Sequence, residues 1–207
     1  MISFKSSIAV ALLIASPAMA VLTQPIAEDA SSTPAGTMRL SGGITLESDF
    51  NMFGVRGSYA LMDGLSGFVG VGLADPDFWG SSPYLQAGGT FALPVDLPVD
   101  LAIRGGLGYA SFSRGGLDLD VMTLNGGVLA SMPVHEMVTV YGFGGLSIAR
   151  SKESGRILGV SISDTDTDIE PALAVGGIFA LDQNISFYGE LAHIDDLFIS
   201  VGARYTF

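Results

Sequence analysis

The stretch Leu197-Phe198-Ile199-Ser200-Val201-Gly202-Ala203-Arg204-Tyr205-Thr206-Phe207 holds two phases of opposite character. Leu197, Ile199, Val201, Ala203, Tyr205 and Phe207 occupy one phase, while Ser200, Gly202, Arg204 and Thr206 occupy the other. Successive side chains of a strand point to opposite faces. The first set would then face hydrocarbon and the second a polar interior, the alternation of a transmembrane β-barrel.

The other end of the sequence agrees. Lys5 lies in a short polar leader before the apolar run from Ile8 to Ala15, and Ala18-Met19-Ala20 supplies small residues around a cut after Ala20. Residues 1–20 therefore read as a secretory signal peptide, with the mature chain beginning near Val21. That apolar run is far short of the roughly 20 residues a membrane helix needs, and no later segment reaches that length without a charge or a glycine. Export without a helical anchor leaves the periplasm, the outer membrane or the exterior.

Composition narrows the choice. The mature chain has the length of one domain and is too short for a barrel plus a sizeable second domain. With no cysteine the sequence can build neither a disulfide framework nor a thiolate metal site. A net charge of -12 makes a poor nucleic-acid binder, because a polyanion calls for a cationic patch. A chain that is 48% hydrophobic yet has no helical span suits an apolar solvent. A soluble periplasmic β-sandwich is the rival fold.

Residues 21–37, with Pro25, Glu28, Asp29, Ser31, Ser32 and Pro34, lack any period and predict a flexible periplasmic lead-in. The barrel then fills residues 38–207. Its strands are expected at 38–47, 52–61, 66–74, 84–93, 98–111, 119–131, 137–149, 169–181, 185–194 and 197–207, each long enough for a tilted crossing. Tight connections at 62–64, 94–97, 132–136 and 182–184 carry turn chemistry and belong on the periplasmic side. Outer loops fall at 48–51, 75–83, 112–118, 150–168 and 195–196. If either of the short first and fifth loops is no true connection, the closed antiparallel barrel has eight strands instead of ten.

The phase of the charges tests this reading. With Leu40, Ile44 and Leu46 outward, Arg39 and Glu47 point in; with Phe53, Val55, Tyr59 and Leu61 outward, Arg56 points in. The same rule puts Arg104 and Glu190 inside. An Arg on the lipid face at the midplane would cost roughly 2 to 4 kcal/mol, so the agreement of these positions supports the phase. In the seventh strand Val138, Val140 and Leu146 compete with Tyr141 and Phe143 for the outward face.

The whole mature chain resembles the small outer-membrane β-barrel proteins of Gram-negative bacteria, the opacity-type or porin-like class and its ten-stranded relatives. The resemblance rests on Ala18-Met19-Ala20, on the Gly-Gly strands Leu85-Gln86-Ala87-Gly88-Gly89, Arg104-Gly105-Gly106-Leu107-Gly108-Tyr109 and Val175-Gly176-Gly177, and on the terminal Val201-Gly202-Ala203-Arg204-Tyr205-Thr206-Phe207. It implies an outer-membrane location, with outer-membrane lipids and lipopolysaccharide as surroundings. It also implies that Tyr205 and Phe207 are the signal read by the barrel assembly machinery. The class spans adhesins, channels and structural anchors, so it identifies the architecture better than the role.

On a closed ten-strand wall Glu190, Arg204, Arg39 and Arg56 come from four consecutive strands, and Arg104 and Glu47 add to the interior charge. One reading is a salt-bridged plug with bridging Arg/Glu contacts, giving a structural or surface-interaction barrel with exposed loops that meet an extracellular ligand of unknown kind. Removing one partner of such a pair costs about 3 to 5 kcal/mol. The other reading is a cationic strip for small anions in a passive channel. Asp164, Asp166, Asp168 and Glu170 alternate, which reads as solvated charge or as a Ca²⁺ or Mg²⁺ site. Phe78 and Trp79 form a recognition tip or part of the interfacial aromatic belt.

An outer-rim hydrolase is the third reading. His193 near Asp195 and Asp196 is its candidate pair, since a neutral imidazole oriented by a carboxylate can take a proton from water. His135, beside Glu136 on a turn, reads as exposed. The sequence favours no enzyme, no metal and no cofactor.

Overall fold

The computed structural model describes residues 25–157 and 160–207, so the expected signal peptide at 1–20 lies outside the described residues. Ten antiparallel strands form a closed barrel: β1 (Met38–Leu46), β2 (Phe50–Met62), β3 (Leu65–Pro76), β4 (Ser82–Leu93), β5 (Asp100–Arg114), β6 (Leu117–His135), β7 (Val138–Ile157), β8 (Val160–Ala180), β9 (Ile185–Ile194) and β10 (Asp196–Thr206). Each strand pairs with its neighbours in sequence. The ring shuts between β1 and β10 in a register running from Arg39↔Thr206 to Leu46↔Ile199. Closure leaves no open backbone edge within the hydrocarbon.

Large apolar side chains stand open on the outer face of every strand; Val69 is 66% and Val175 60% exposed. Only an apolar solvent tolerates so continuous a belt, which excludes the soluble sandwich. In β7 the contest of phase resolves with Tyr141 and Phe143 buried in the lumen and Val140 and Leu146 facing out.

Two expected loops are strand. Residues 112–118 belong to the β5–β6 hairpin, and most of 150–168 extends β7 and β8, which pair without a bulge from Val138↔Phe179 to Ile157↔Val160. Hydropathy is silent there because both faces of a strand above the membrane are wet. The wall is consequently tall along β5 to β8 and low along β9, β10, β1 and β2, where β9 turns into β10 through Asp195 alone at φ 67°.

The closure seam is thin by design of its residues. Gly202, Gly43, Gly54 and Gly72 form one cross-strand row over β10, β1, β2 and β3, and Tyr188 and Tyr84 flank the row in register. Both tyrosine rings lie along the inner wall over these glycines. A Cβ at Gly43 would strike the Tyr188 hydroxyl, and one at Gly54 would strike that of Tyr84. Nearer the outer end, Phe50, Met52, Phe112, Leu119, Ile194 and Phe198 fill the lumen with an apolar layer.

Candidate functional site

The lumen beneath that layer is filled by the chain itself. Residues 25–37, expected as a flexible periplasmic lead-in, run instead inside the barrel from the end where β1 begins. Ala35 N donates to Asp63 Oδ1 at 2.8 Å, Gly36 N to Ala60 O at 2.9 Å, and Gly64 N to Thr33 O at 3.2 Å, tying the segment to the β2–β3 turn. Deeper in, Ala30 N donates to Ser131 Oγ of β6 at 2.9 Å. Ile26 is 0% and Ala27 1% exposed. A buried peptide must find partners for its polar groups, and here the wall supplies them.

Glu190 of β9 is the main acceptor. Its Oε2 accepts from Ile26 N at 3.0 Å, Ala27 N at 3.4 Å and the Tyr141 hydroxyl at 2.7 Å. Arg56 of β2 binds the same segment from the opposite polarity, donating from Nη1 to Pro25 O at 2.8 Å and from Nη2 to Ile26 O. Between Arg56 and Glu190, peptide groups of the segment take the place that a direct bridge would occupy. Each charge meets the end of a peptide dipole that suits it.

Phe68 of β3 sits between two cations, with the Arg56 guanidinium 5.1 Å and that of Arg104 4.8 Å from its ring centroid. Arg104 is 1% exposed, and Arg56, Glu28 and Glu190 are all close enough to act on it electrostatically. Glu28 accepts from Thr90 Oγ1 of β4 at 3.1 Å. Lower in the lumen Arg204 Nη1 lies 3.5 Å from Asp29 Oδ2, while its Nε donates to Ser186 Oγ at 3.1 Å. Arg39 adds its field to the same aspartate.

The lumen therefore gathers Arg39, Arg56, Arg104, Arg204 and Glu190 around Glu28 and Asp29 of the segment. The two acids escaped a reading of strands alone, because a stretch without period gives no local structural signal. The signal that could have found them is numerical: the interior arginines outnumber the interior strand acids, and this segment carries carboxylates. A cavity of about 10 Å³ remains beside Pro25 and Arg56, room for about one water molecule.

Glu47 is not brought to this cluster. It lies beyond β1 at the outer rim, where burial and the carboxylates of Asp196, Asp49, Asp195 and Asp77 push its pKa up to about 7. Its inward phase holds, but it faces the far end of the lumen. Trp79 is buried at that end and meets Phe78 edge-on at 5.6 Å; Phe78 is exposed and carries the Arg114 guanidinium 4.7 Å above its ring.

The remaining candidates scatter. His193 stands exposed in the outward phase, in register with Leu173 and Leu197, so its ring is turned away from the lumen mouth. His135 is exposed on the β6–β7 turn, where its Nδ1 accepts from Met137 N at 3.2 Å. Asp164 and Asp166 turn back on their own strand, accepting from Thr165 N at 2.9 Å and Thr167 N at 2.8 Å. Tyr205 and Phe207 pack edge-on at 4.7 Å at the foot of β10, with Phe207 exposed.

No family model matches the sequence, and no curated protein matches it. Among solved structures, the chain is similar to the outer membrane protease OmpT of Escherichia coli at 12% identity, covering 87% of this chain and 100% of that one with a TM-score of 0.51. It also matches Ail, the attachment invasion locus protein of Yersinia pestis, at 16% identity, over 84% of this chain and 99% of that one, with a TM-score of 0.44. The N-terminal β-barrel domain of Pseudomonas aeruginosa OprF matches at 11% identity, over 84% and 100% of the two chains, with a TM-score of 0.37. At such identities the likeness to OmpT is one of fold and not of chemistry. With a closed ten-strand wall and a continuous apolar belt, the chain has the fold of the bacterial outer-membrane β-barrels.

Proposed function

We propose that this protein is a closed outer-membrane barrel that acts through its outer surface, as a structural or surface-interaction protein, and not through its lumen. The observation that carries the reading is the seating of residues 25–37, whose Asp29 pairs with Arg204, whose Glu28 accepts from Thr90 within the field of Arg104, and whose backbone occupies both Glu190 and Arg56. A cationic strip whose Arg204 already pairs with Asp29 and whose Arg56 already holds two peptide carbonyls is poorly disposed to carry a passing anion. The outward phase of His193, turned away from the lumen mouth, likewise gives an outer-rim hydrolase little support. On this reading residues 1–20 direct export, Tyr205 and Phe207 present the terminal strand to the assembly machinery, and lipopolysaccharide surrounds the outer half of the belt.

Planar-bilayer recording on the folded protein tests the proposal. A silent barrel is expected. Steady anion-selective conductance from the intact chain would overturn it in favour of a small passive channel.

A further inference from the structure

We propose that the outer half of β8 is a docking edge for an extended cationic segment of a partner protein, which joins the sheet as an added strand; the proposal rests on the reading that the protein works through its outer surface. β7 pairs with β8 along its whole length, but β9 pairs only with Leu173–Ala180. Among the described residues, 160–172 thus have a strand on one side only. At the usual rise this is about 40 Å of edge, standing above the low wall of β9 and β10.

Alternate peptides face alternate neighbours. Ala180 N bonds to Met137 O on the β7 side, whereas Leu181 N bonds to Ile185 O on the β9 side. No register shift interrupts β8 against β7 or β9, so even-numbered peptides serve β7 and odd-numbered ones face the open side. Ser163, Thr165, Thr167 and Ile169 therefore turn their N–H and C=O groups outward along the edge. Pro171 falls in the same set, where its missing N–H costs no bond to β7, and it stands just past the last β8–β9 pair, Leu173↔His193.

The edge is guarded, and the guard selects the occupant. Two of its N–H donors are covered by Asp164 and Asp166, each carboxylate folding onto the next residue along. An incoming strand must displace both carboxylates. A neutral strand would leave them beside its own carbonyl oxygens. One with Lys or Arg at every second position gives each displaced carboxylate a cation while its carbonyls take the freed N–H groups, and Asp168 and Glu170 continue the acidic row. A second copy of this chain fits poorly, since it would set one acidic row against another on a protein of net charge -12.

The test uses the full chain folded in detergent micelles, heat-modifiable migration serving as the check of folding, with a synthetic peptide alternating Lys and Thr as probe. Saturable binding is expected, with slowed amide exchange at Thr165, Thr167 and Ile169. Binding should weaken by about tenfold or more in molar salt, where the Debye length falls to about 3 Å. A similar loss is expected in the Asp164→Asn, Asp166→Asn, Asp168→Asn triple variant. A peptide of the same side chains with N-methylated backbone should bind weakly and slow no amide. No binding by the alternating peptide, or equal binding by the methylated one, overturns the docking edge. Conductance measured on the same preparation separates the two proposals: a silent barrel indifferent to the peptide sinks only this one, and a conducting barrel that binds it sinks only the closed-lumen reading.

Discussion

The lower lumen and the outer half of β8 meet the same requirement in opposite ways. Both present backbone N–H and C=O groups that no neighbouring strand pairs. In the lumen Ile26 and Ala27 find Glu190 and Arg56, side chains from distant strands that hold the segment in a buried place. On β8, Thr165 and Thr167 are covered only by exposed aspartates one residue away. A cover built from long-range buried partners is costly to remove, whereas one built from a neighbouring exposed side chain exchanges readily with water or another strand. The contrast assigns permanence to the seal and availability to the edge.

Removing the seal should give the largest effect. Deleting residues 25–36 takes away Glu28 and Asp29 and leaves Arg39, Arg56, Arg104 and Arg204 facing Glu190 in a cleared lower lumen. Conductance is expected to appear with a reversal potential that favours anions, and a deletion variant as silent as the parent would break the comparison by showing that the apolar outer layer closes the barrel alone. Next in size is Glu190→Ala, which strands two peptide N–H groups and the Tyr141 hydroxyl in a buried place. A loss of about 3 to 5 kcal/mol is expected from denaturant midpoints, with Glu190→Gln losing less.

The glycine seam sharpens the same contrast at smaller scale. Gly54→Ala should cost about 1 to 3 kcal/mol through crowding against Tyr84, and Tyr84→Phe should return part of it, because the hydroxyl is the nearest obstacle. Equilibrium unfolding of the single and double variants decides this. Smallest is the effect of pH at the outer rim. Glu47, with a pKa pushed up to about 7, stays protonated in the folded protein at mildly acidic pH, where the unfolded chain already ionises it. Its contribution to stability is therefore present below the ordinary carboxylate range and is lost as pH rises through about 7. Protection of the amides of residues 46–50, taken relative to their base-catalysed intrinsic exchange at each pH, should fall between pH 5 and pH 8, a loss that Glu47→Gln abolishes.

What the sequence made legible follows the hydrocarbon. Arg39, Arg56, Arg104 and Arg204 could be placed inside because lipid penalises the alternative at each position, and all the strands but β7 and β8 came out within a few residues for the same reason. Where lipid stops acting, the pattern stops speaking. The run Asp164-Thr165-Asp166-Thr167-Asp168 is polar on both faces, so a long strand passed for a loop. Tyr141 and Phe143 defied the apolar-out rule because a narrow lumen is itself a core, with room for aromatic rings and a carboxylate for the tyrosine hydroxyl. The seat of residues 25–37 was hidden for a further reason: its partners include residues 28 and 164 positions away, out of the reach of any local period.

That separation also orders events in time. Ile26 and Glu190 lie 164 residues apart, and Arg204, which holds Asp29, belongs to the final strand. Chain closure over such a span is slow and gains nothing until both ends are in place. The anchors on Glu190 and Arg204 can form only after β9 and β10 have docked in the right register, because a shift of one residue would turn both side chains out toward lipid. Full seating of the segment is therefore expected to follow closure of the wall, and a pulse-labelling experiment that finds Ile26 protected before β10 would contradict that order.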